Sequence, residues 1–103
     1  GCEGVAVKDL AAILEDLRRL KPELAKRYPI KELGVFGSYA RGEQRPDSDL
    51  DVLVDFDGPV TLFGLCDIER EVSREIGVSV DLVPRRGLKP RIWHRIRAEF
   101  VVP

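Results

Sequence analysis

Five residues in this chain have the types and spacing for phosphate and metal chemistry: Gly37, Ser38, Asp49, Asp51 and Asp81. Gly37 and Ser38 close an apolar run, 33–36, and ten residues separate Ser38 from Asp49. Asp49 and Asp51 then open a second apolar run that reaches Phe56. Alternate side chains of a strand share a face, so Asp49 and Asp51 point one way while Leu50 and Val52 point the other. Two carboxylates on one face, beside a small turn, suit a hard divalent cation carrying a triphosphate. Gly37 lets the backbone approach a ligand closely. Ser38 heads a short helix, so its hydroxyl and the following N–H groups can meet phosphate oxygens. A lone Gly-Ser pair fits an ordinary turn as well. The joint pattern of strand, Gly-Ser, Asp-x-Asp and a later acid is far more specific.

Asp81 stands alone between apolar neighbours Val80 and Leu82. Taken by itself it fits an edge-strand acid facing water equally well, because an acid in an apolar strand is costly to bury without a partner. With Asp49 and Asp51 on a neighbouring strand, three carboxylates could converge, and such like charges require a cation. One or two Mg²⁺ ions would satisfy them. In nucleotidyl transfer, paired metals hold the triphosphate and activate the attacking oxygen.

The elements that position these residues follow from periodicity. Leu10, Ile13, Leu14, Leu17 and Leu20 recur at helical spacing, which predicts a helix over 9–20. Pro22 predicts a separate short turn over 22–28 that stops at Pro29. A first strand is expected over 31–37, with Leu33, Val35 and Phe36 buried. A short helix should run from Ser38 to Arg41 and end at Gly42, and a polar loop should follow from Glu43 to Ser48. The second strand is expected over 50–56. Thr61 is a candidate N-cap for a helix that reaches Ile76, with Leu62, Leu65, Cys66, Ile68, Val72 and Ile76 on its apolar stripe and Gly77 as its stop. A third strand over 78–83 ends before Pro84, and Leu88, Ile92, Ile96 and Phe100 predict a last helix over 88–100. The order α-β-α-β-α-β-α gives a small α/β (α+β) domain with helices on one central sheet, and leaves the strand directions open.

Composition bounds the rest. At 103 residues, 44% of them hydrophobic, the chain has material for one core and none for a second, substrate-binding one. Residues 5–103 are read as a single domain. Residues 1–4 (Gly-Cys-Glu-Gly) are taken as disordered or left by processing and stay outside the fold. A formal net charge of −1 argues against a general nucleic-acid coating protein. The basic stretch Arg85, Arg86, Lys89, Arg91, His94, Arg95 and Arg97, with Trp93 inside it, fits a solvated helix face, an acidic partner surface, RNA or a triphosphate. Cys2 and Cys66 show neither metal spacing nor a disulfide framework, which suits the reducing cytoplasm. No apolar run approaches the roughly 20 residues of a membrane span, and no signal-peptide pattern is present. One histidine, His94, cannot build a His-based metal site, and no Ser-His-Asp arrangement supports a hydrolase. Asn is absent and Arg outnumbers Lys, which leans towards a thermophile or a GC-rich genome.

The segments Gly37-Ser38-Tyr39-Ala40-Arg41-Gly42, Pro46-Asp47-Ser48-Asp49-Leu50-Asp51 and Val80-Asp81-Leu82-Val83 resemble the nucleotidyltransferase superfamily that includes DNA polymerase β, and most closely its minimal nucleotidyltransferase (MNT) members. The likeness extends from the first strand through the Arg-Ile-Trp-His-Arg-Ile stretch. It implies the small nucleotidyltransferase fold, with a central mixed sheet of about three strands flanked by helices. Gly37 and Ser38 would bind the β- and γ-phosphates of ATP. Asp49 and Asp51 would hold Mg²⁺, and Asp81 would complete the metal site and help deprotonate the acceptor hydroxyl. Arg41 and Ser48 complete the candidate nucleotide-binding set, although Arg41 also suits an ion pair with Asp47 or Asp49, and Ser48 suits fixing the loop. Tyr39 would cap the pocket or face a partner. Family members of this size are usually antitoxins paired with a HEPN-domain ribonuclease toxin, and some transfer AMP from ATP to a tyrosine of that toxin. The resemblance therefore implies a hetero-oligomer with a HEPN partner. Neutralisation by binding alone is the alternative. An enzyme adenylylating an aminoglycoside-type small molecule ranks last, since those enzymes generally carry an additional helical domain.

Overall fold

Asp9 sets the start of the first helix: its carboxylate accepts the N–H of Ala12 at 2.9 Å. In the computed structural model, which describes residues 8–103, this helix (α1) runs over Leu10–Ala25 and buries Ile13, Leu17, Leu20 and Leu24. The readings made for residues 1–4, for Cys2 and for a domain start at residue 5 lie outside the described residues. The expected break at Pro22 does not occur. An interior proline costs about 3 kcal/mol. Burial of Leu20 and Leu24 on either side contributes about 1.5–3 kcal/mol each, so the packing outweighs the lost hydrogen bond. The ring of Pro22 sits on the exposed side of the helix.

The remaining elements are β1 (Ile30–Phe36), α2 (Ser38–Arg41), β2 (Leu50–Phe56), α3 (Leu62–Ile76), β3 (Val80–Pro84), a 3₁₀ turn (Arg85–Gly87) and α4 (Pro90–Ile96). Thr61 caps α3 by accepting the N–H of Gly64 at 3.1 Å, and Gly77 ends it in the left-handed region with φ +84°. Both match the sequence expectation. The stripe on α3 is narrower than expected: Ile68, Val72 and Ile76 are buried, while Leu62 is 74% exposed and Cys66 is exposed. The packed part of the helix begins only at Leu65.

The sheet is mixed, with order β1-β2-β3. β1 and β2 are antiparallel and pair Val35 with Val52 and Phe36 with Asp51. β2 and β3 are parallel and pair Asp51 with Asp81. Leu33 and Val35, with Leu50, Val52, Val54 and Phe56, face the core formed with α1 and α3. The opposite face carries Gly34, Phe36, Asp51, Leu53, Asp55 and Asp81, and among the described residues Arg85, α4 and the last residues partly cover it.

Two features fix the sheet's edges. On β1, Val35 and Val101 exchange both backbone hydrogen bonds, at 2.8 and 2.9 Å. On β3, the N–H of Val80 donates to the Ser73 hydroxyl at 3.2 Å, and that of Leu82 donates to the Glu69 carboxylate at 2.9 Å.

The last helix is shorter than the 88–100 expected. Pro90 restricts the residue before it to extended backbone, so α4 begins at Pro90, with Lys89 at ψ 146°. After Ile96 the chain turns, and Phe100 returns onto the open face of the sheet. A Cβ on Gly34 would lie 2.4 Å from the Phe100 ring, so the ring rests on the glycine itself.

Candidate active site

The site begins where β1 ends. Gly37 has φ +79°, which favours glycine, and a Cβ there would lie 2.1 Å from Asp51 Oδ2. The turn is thus pressed against the carboxylate on the neighbouring strand. α2 is tied down from below by Tyr39, which is 2% exposed. This corrects the expectation that Tyr39 caps the pocket or faces a partner: its ring is part of the core. Burial and, next, the Asp49 charge push its phenol pKa up.

The loop that follows carries Asp49. Ser48 Oγ accepts the N–H of Arg45 at 2.8 Å, and the Ser48 N–H returns to the Arg45 carbonyl at 2.9 Å. Ser48 therefore closes the loop, one of its two expected roles. Leu50, fully buried, donates to the Ser79 carbonyl at 2.8 Å and anchors the start of β2 beside β3. Strand alternation then sends Asp51 to the open face, while Asp49 lies exposed just before β2, with its charge felt by both Asp51 and Tyr39. Asp51 and Asp81 are register partners on adjacent parallel strands, which places their side chains on one face about 4.8 Å apart in backbone spacing. Asp81 is exposed, as an edge-strand acid would be, yet it stands beside Asp51.

Burial holds the Asp51 carboxyl above the ordinary carboxylate range, and the charges of Asp81 and Asp49 add to this, while Arg41 opposes it. A folded-state pKa above the unfolded one contributes stability that is present below the unfolded pKa and lost as pH rises through the folded one. Asp51→Asn should therefore gain stability over the native chain as pH rises from the ordinary carboxylate range through the raised value of Asp51. Urea midpoints measured in chelator across that window test this; a gap that does not widen with pH would contradict it.

Among the described residues, no group of three or more acids, histidines or cysteines is poised to hold a metal ion. Asp51 and Asp81 share a face, and Asp49 stands just before β2 without closing a cage with them. An open carboxylate set whose mutual repulsion Arg41 only partly offsets fits Mg²⁺, which keeps several waters and binds through one or two carboxylates together with substrate phosphates.

A cavity of about 420 Å³ lies between the Gly-Ser turn and α4. Its polar lining is Gly37, Arg41, Asp51, Arg95 and Glu99, and its apolar lining is Phe36, Ile92 and Ile96. Ser38, Ser48, Asp49 and Asp81 are not part of that lining. Arg41 makes the ion pair expected of it, but with other partners. Its Nε donates to Glu43 at 3.0 Å and its Nη1 to Glu99 at 3.0 and 3.1 Å, in place of Asp47 or Asp49. These hydrogen bonds, that to Glu43 first, raise its pKa further.

Sequence reasoning missed Glu99 and left Arg95 unassigned within a basic run. Nothing in Arg-Ala-Glu-Phe distinguishes Glu99 from a solvated acid; only the turn after α4 brings it to Gly37. The basic run itself divides. Arg85 stacks over the Trp93 ring at 4.3 Å, and Trp93 meets Phe100 edge-on with centroids 5.9 Å apart. Arg86 donates to the carbonyls of Phe56 and Gly58, both at 3.1 Å.

The profile of the nucleotidyltransferase domain family matches residues 17–101. The chain belongs to this family. A relative from Thermococcus cleftensis, named protein adenylyltransferase MntA, is 39% identical over 97 residues, which are 94% of this chain and 98% of that one. A solved structure provisionally described as a minimal nucleotidyltransferase superposes with a TM-score of 0.79 at 36% identity and covers 100% of both chains. A chain from the solved complex of a tri-AMPylated Shewanella oneidensis HEPN toxin with an MNT antitoxin superposes at 0.67, covering 89% of this chain and 69% of that one. At 14% identity that likeness concerns the fold alone. The MNT resemblance and the mixed three-stranded nucleotidyltransferase fold expected from sequence both hold. The chain is a nucleotidyltransferase enzyme. No helix among the described residues is long and apolar enough to cross a membrane.

Proposed function

We propose that this nucleotidyltransferase moves AMP from ATP to a tyrosine hydroxyl of a HEPN ribonuclease toxin and thereby acts as its antitoxin, with Mg²⁺ as cofactor. The observation that carries the reading is the placement of Asp51 and Asp81 side by side, with Gly37 pressed onto Asp51. The adenylyltransferase name of the 39% identical relative and the AMP-modified HEPN toxin in the fold-level neighbour support the nucleotide and the acceptor class.

The Gly37 N–H, the Ser38 hydroxyl and the Arg41 guanidinium hold the β- and γ-phosphates. Asp49 and Asp51 are the metal-holding carboxylates, and Ser48 fixes the loop that carries the first of them and lies beside the nucleotide. Mg²⁺ held by these carboxylates would offset the charge of the triphosphate and of the developing transition state. Asp81, exposed on the edge strand, joins the metal site and takes the proton of the acceptor hydroxyl as its oxygen bonds to the α-phosphorus and pyrophosphate departs.

The test is to incubate the chain with a candidate HEPN ribonuclease partner, ATP and Mg²⁺, and to weigh the partner by mass spectrometry. Added AMP on a tyrosine is expected, and chelation should abolish it. An unmodified partner whose ribonuclease activity is nonetheless blocked would replace this reading with neutralisation by binding alone.

A further inference from the structure

Glu99 occupies the place where a phosphate is needed. Its Oε2 accepts the Gly37 N–H at 2.6 Å and a guanidinium N–H of Arg41 at 3.0 Å, while Oε1 accepts from Arg41 at 3.1 Å. A planar anion held by a backbone N–H and an arginine uses the donors that a phosphate oxygen would use. The contact lies inside the 420 Å³ cavity, beside Asp51. We propose that Glu99 is a built-in phosphate mimic: its carboxylate fills the Gly37–Arg41 cradle in the unliganded enzyme and must swing out before a nucleoside triphosphate can bind. This rests on the nucleotidyltransferase site described above and adds a competitor within the chain.

Three features make Glu99 a displaceable occupant. Its backbone is fixed by the Val35–Val101 bridge two residues later, so the exchange needs only side-chain rotation. The side chain is 29% exposed, which leaves it a route to solvent. Arg41 keeps Glu43 on its Nε when Glu99 departs, so the guanidinium stays aimed at the cavity. An anion left in place would face the triphosphate across the same donors, and like charges at that distance exclude one another. The apparent affinity is then the intrinsic affinity reduced by the fraction of molecules in which the cradle is open.

The test compares the full chain with Glu99→Gln and Glu99→Asp, titrated by calorimetry with a non-hydrolysable ATP analogue plus Mg²⁺ and, separately, with inorganic triphosphate. Gln removes the charge, and Asp keeps it but withdraws it by one methylene. Both variants should bind both probes about 3- to 10-fold more tightly than the native chain. Equal or weaker binding by Glu99→Gln would overturn the proposal, weaker binding making Glu99 a support of the cradle. A gain with Gln and none with Asp would also overturn it, because the effect would be charge at a distance and not occupancy. A gain for inorganic triphosphate with no nucleotide binding by any chain would leave the mimic standing and overturn the nucleotidyltransferase reading of the pocket. Native binding of the nucleotide analogue with no gain in either variant would do the reverse.

Discussion

Transfer of labelled AMP to the proposed HEPN toxin should fall by roughly a thousandfold or more when Asp49 and Asp51 are both replaced by Asn, since loss of even one preorganised electrostatic contact commonly costs 10²–10³. The substitution keeps side-chain shape and removes the two charges that would hold Mg²⁺. It should leave the fold intact. Asp49 is exposed, Asp51 faces away from the core built on Leu50, Val52 and Val54, and Asp51 is held above its ordinary pKa by burial and by its neighbours. A far-UV spectrum and a melting midpoint equal to or above those of the native chain are expected alongside the lost activity. Persistent transfer would refute the roles given to the two carboxylates. Toxin that stays silenced by the double variant, with no AMP added, would make the interaction itself the antitoxin.

Gly37→Ala should damage both stability and chemistry. The residue sits at φ +79°, and a methyl group would meet Asp51 Oδ2 at 2.1 Å. The backbone strain alone costs about 1–3 kcal/mol. In a domain of this size that lowers the melting midpoint by roughly 4–8 °C for each kcal/mol. The methyl group must also push Asp51 or the α2 turn aside. A misplacement on the order of 1 Å costs about a hundredfold in rate. Gly42→Ala separates the two effects. Gly42 also lies in the left-handed region, at φ +72°, but nothing stands within 4 Å of its Cβ position. It should melt lower while keeping AMP transfer near the native level. Full activity in Gly37→Ala, measured beside Gly42→Ala, would mean that the close approach to Asp51 has no catalytic role.

Much of this architecture could be read from the chain because local signals and tertiary packing agree. Thr61 and Gly77 bound α3 as cap and stop, and the Leu50-to-Phe56 strand runs from one end of its apolar pattern to the other. The meeting of Asp51 with Asp81 was approachable because alternation fixes which face each side chain takes. Local rules misled where packing decided against them. Pro22 reads as a helix break, but two buried leucines carry α1 through it. Phe100 falls at helical spacing from Ile96, yet it returns across Gly34, and no periodicity encodes a residue that packs after a turn. Glu99 reaches Gly37 from 62 positions away along the chain, so no local pattern could have announced it. Tyr39 looked functional because it lies inside the Gly-Ser motif, whereas its work there is to anchor α2 in the core.

The hydrogen bonds along β3 carry a consequence for how this molecule meets others. Its outward-facing backbone positions are the alternate residues Val80, Leu82 and Pro84. Ser73 takes the N–H of the first, Glu69 takes that of the second, and proline has none to give. A foreign strand arriving at that edge would find carbonyls without matching donors. The sheet thus carries its own guard against edge-to-edge aggregation and against lengthening by a partner's strand at β3. Any protein that settles beside Asp81 must be recognised through side chains and loops, with its own backbone left out of the ladder.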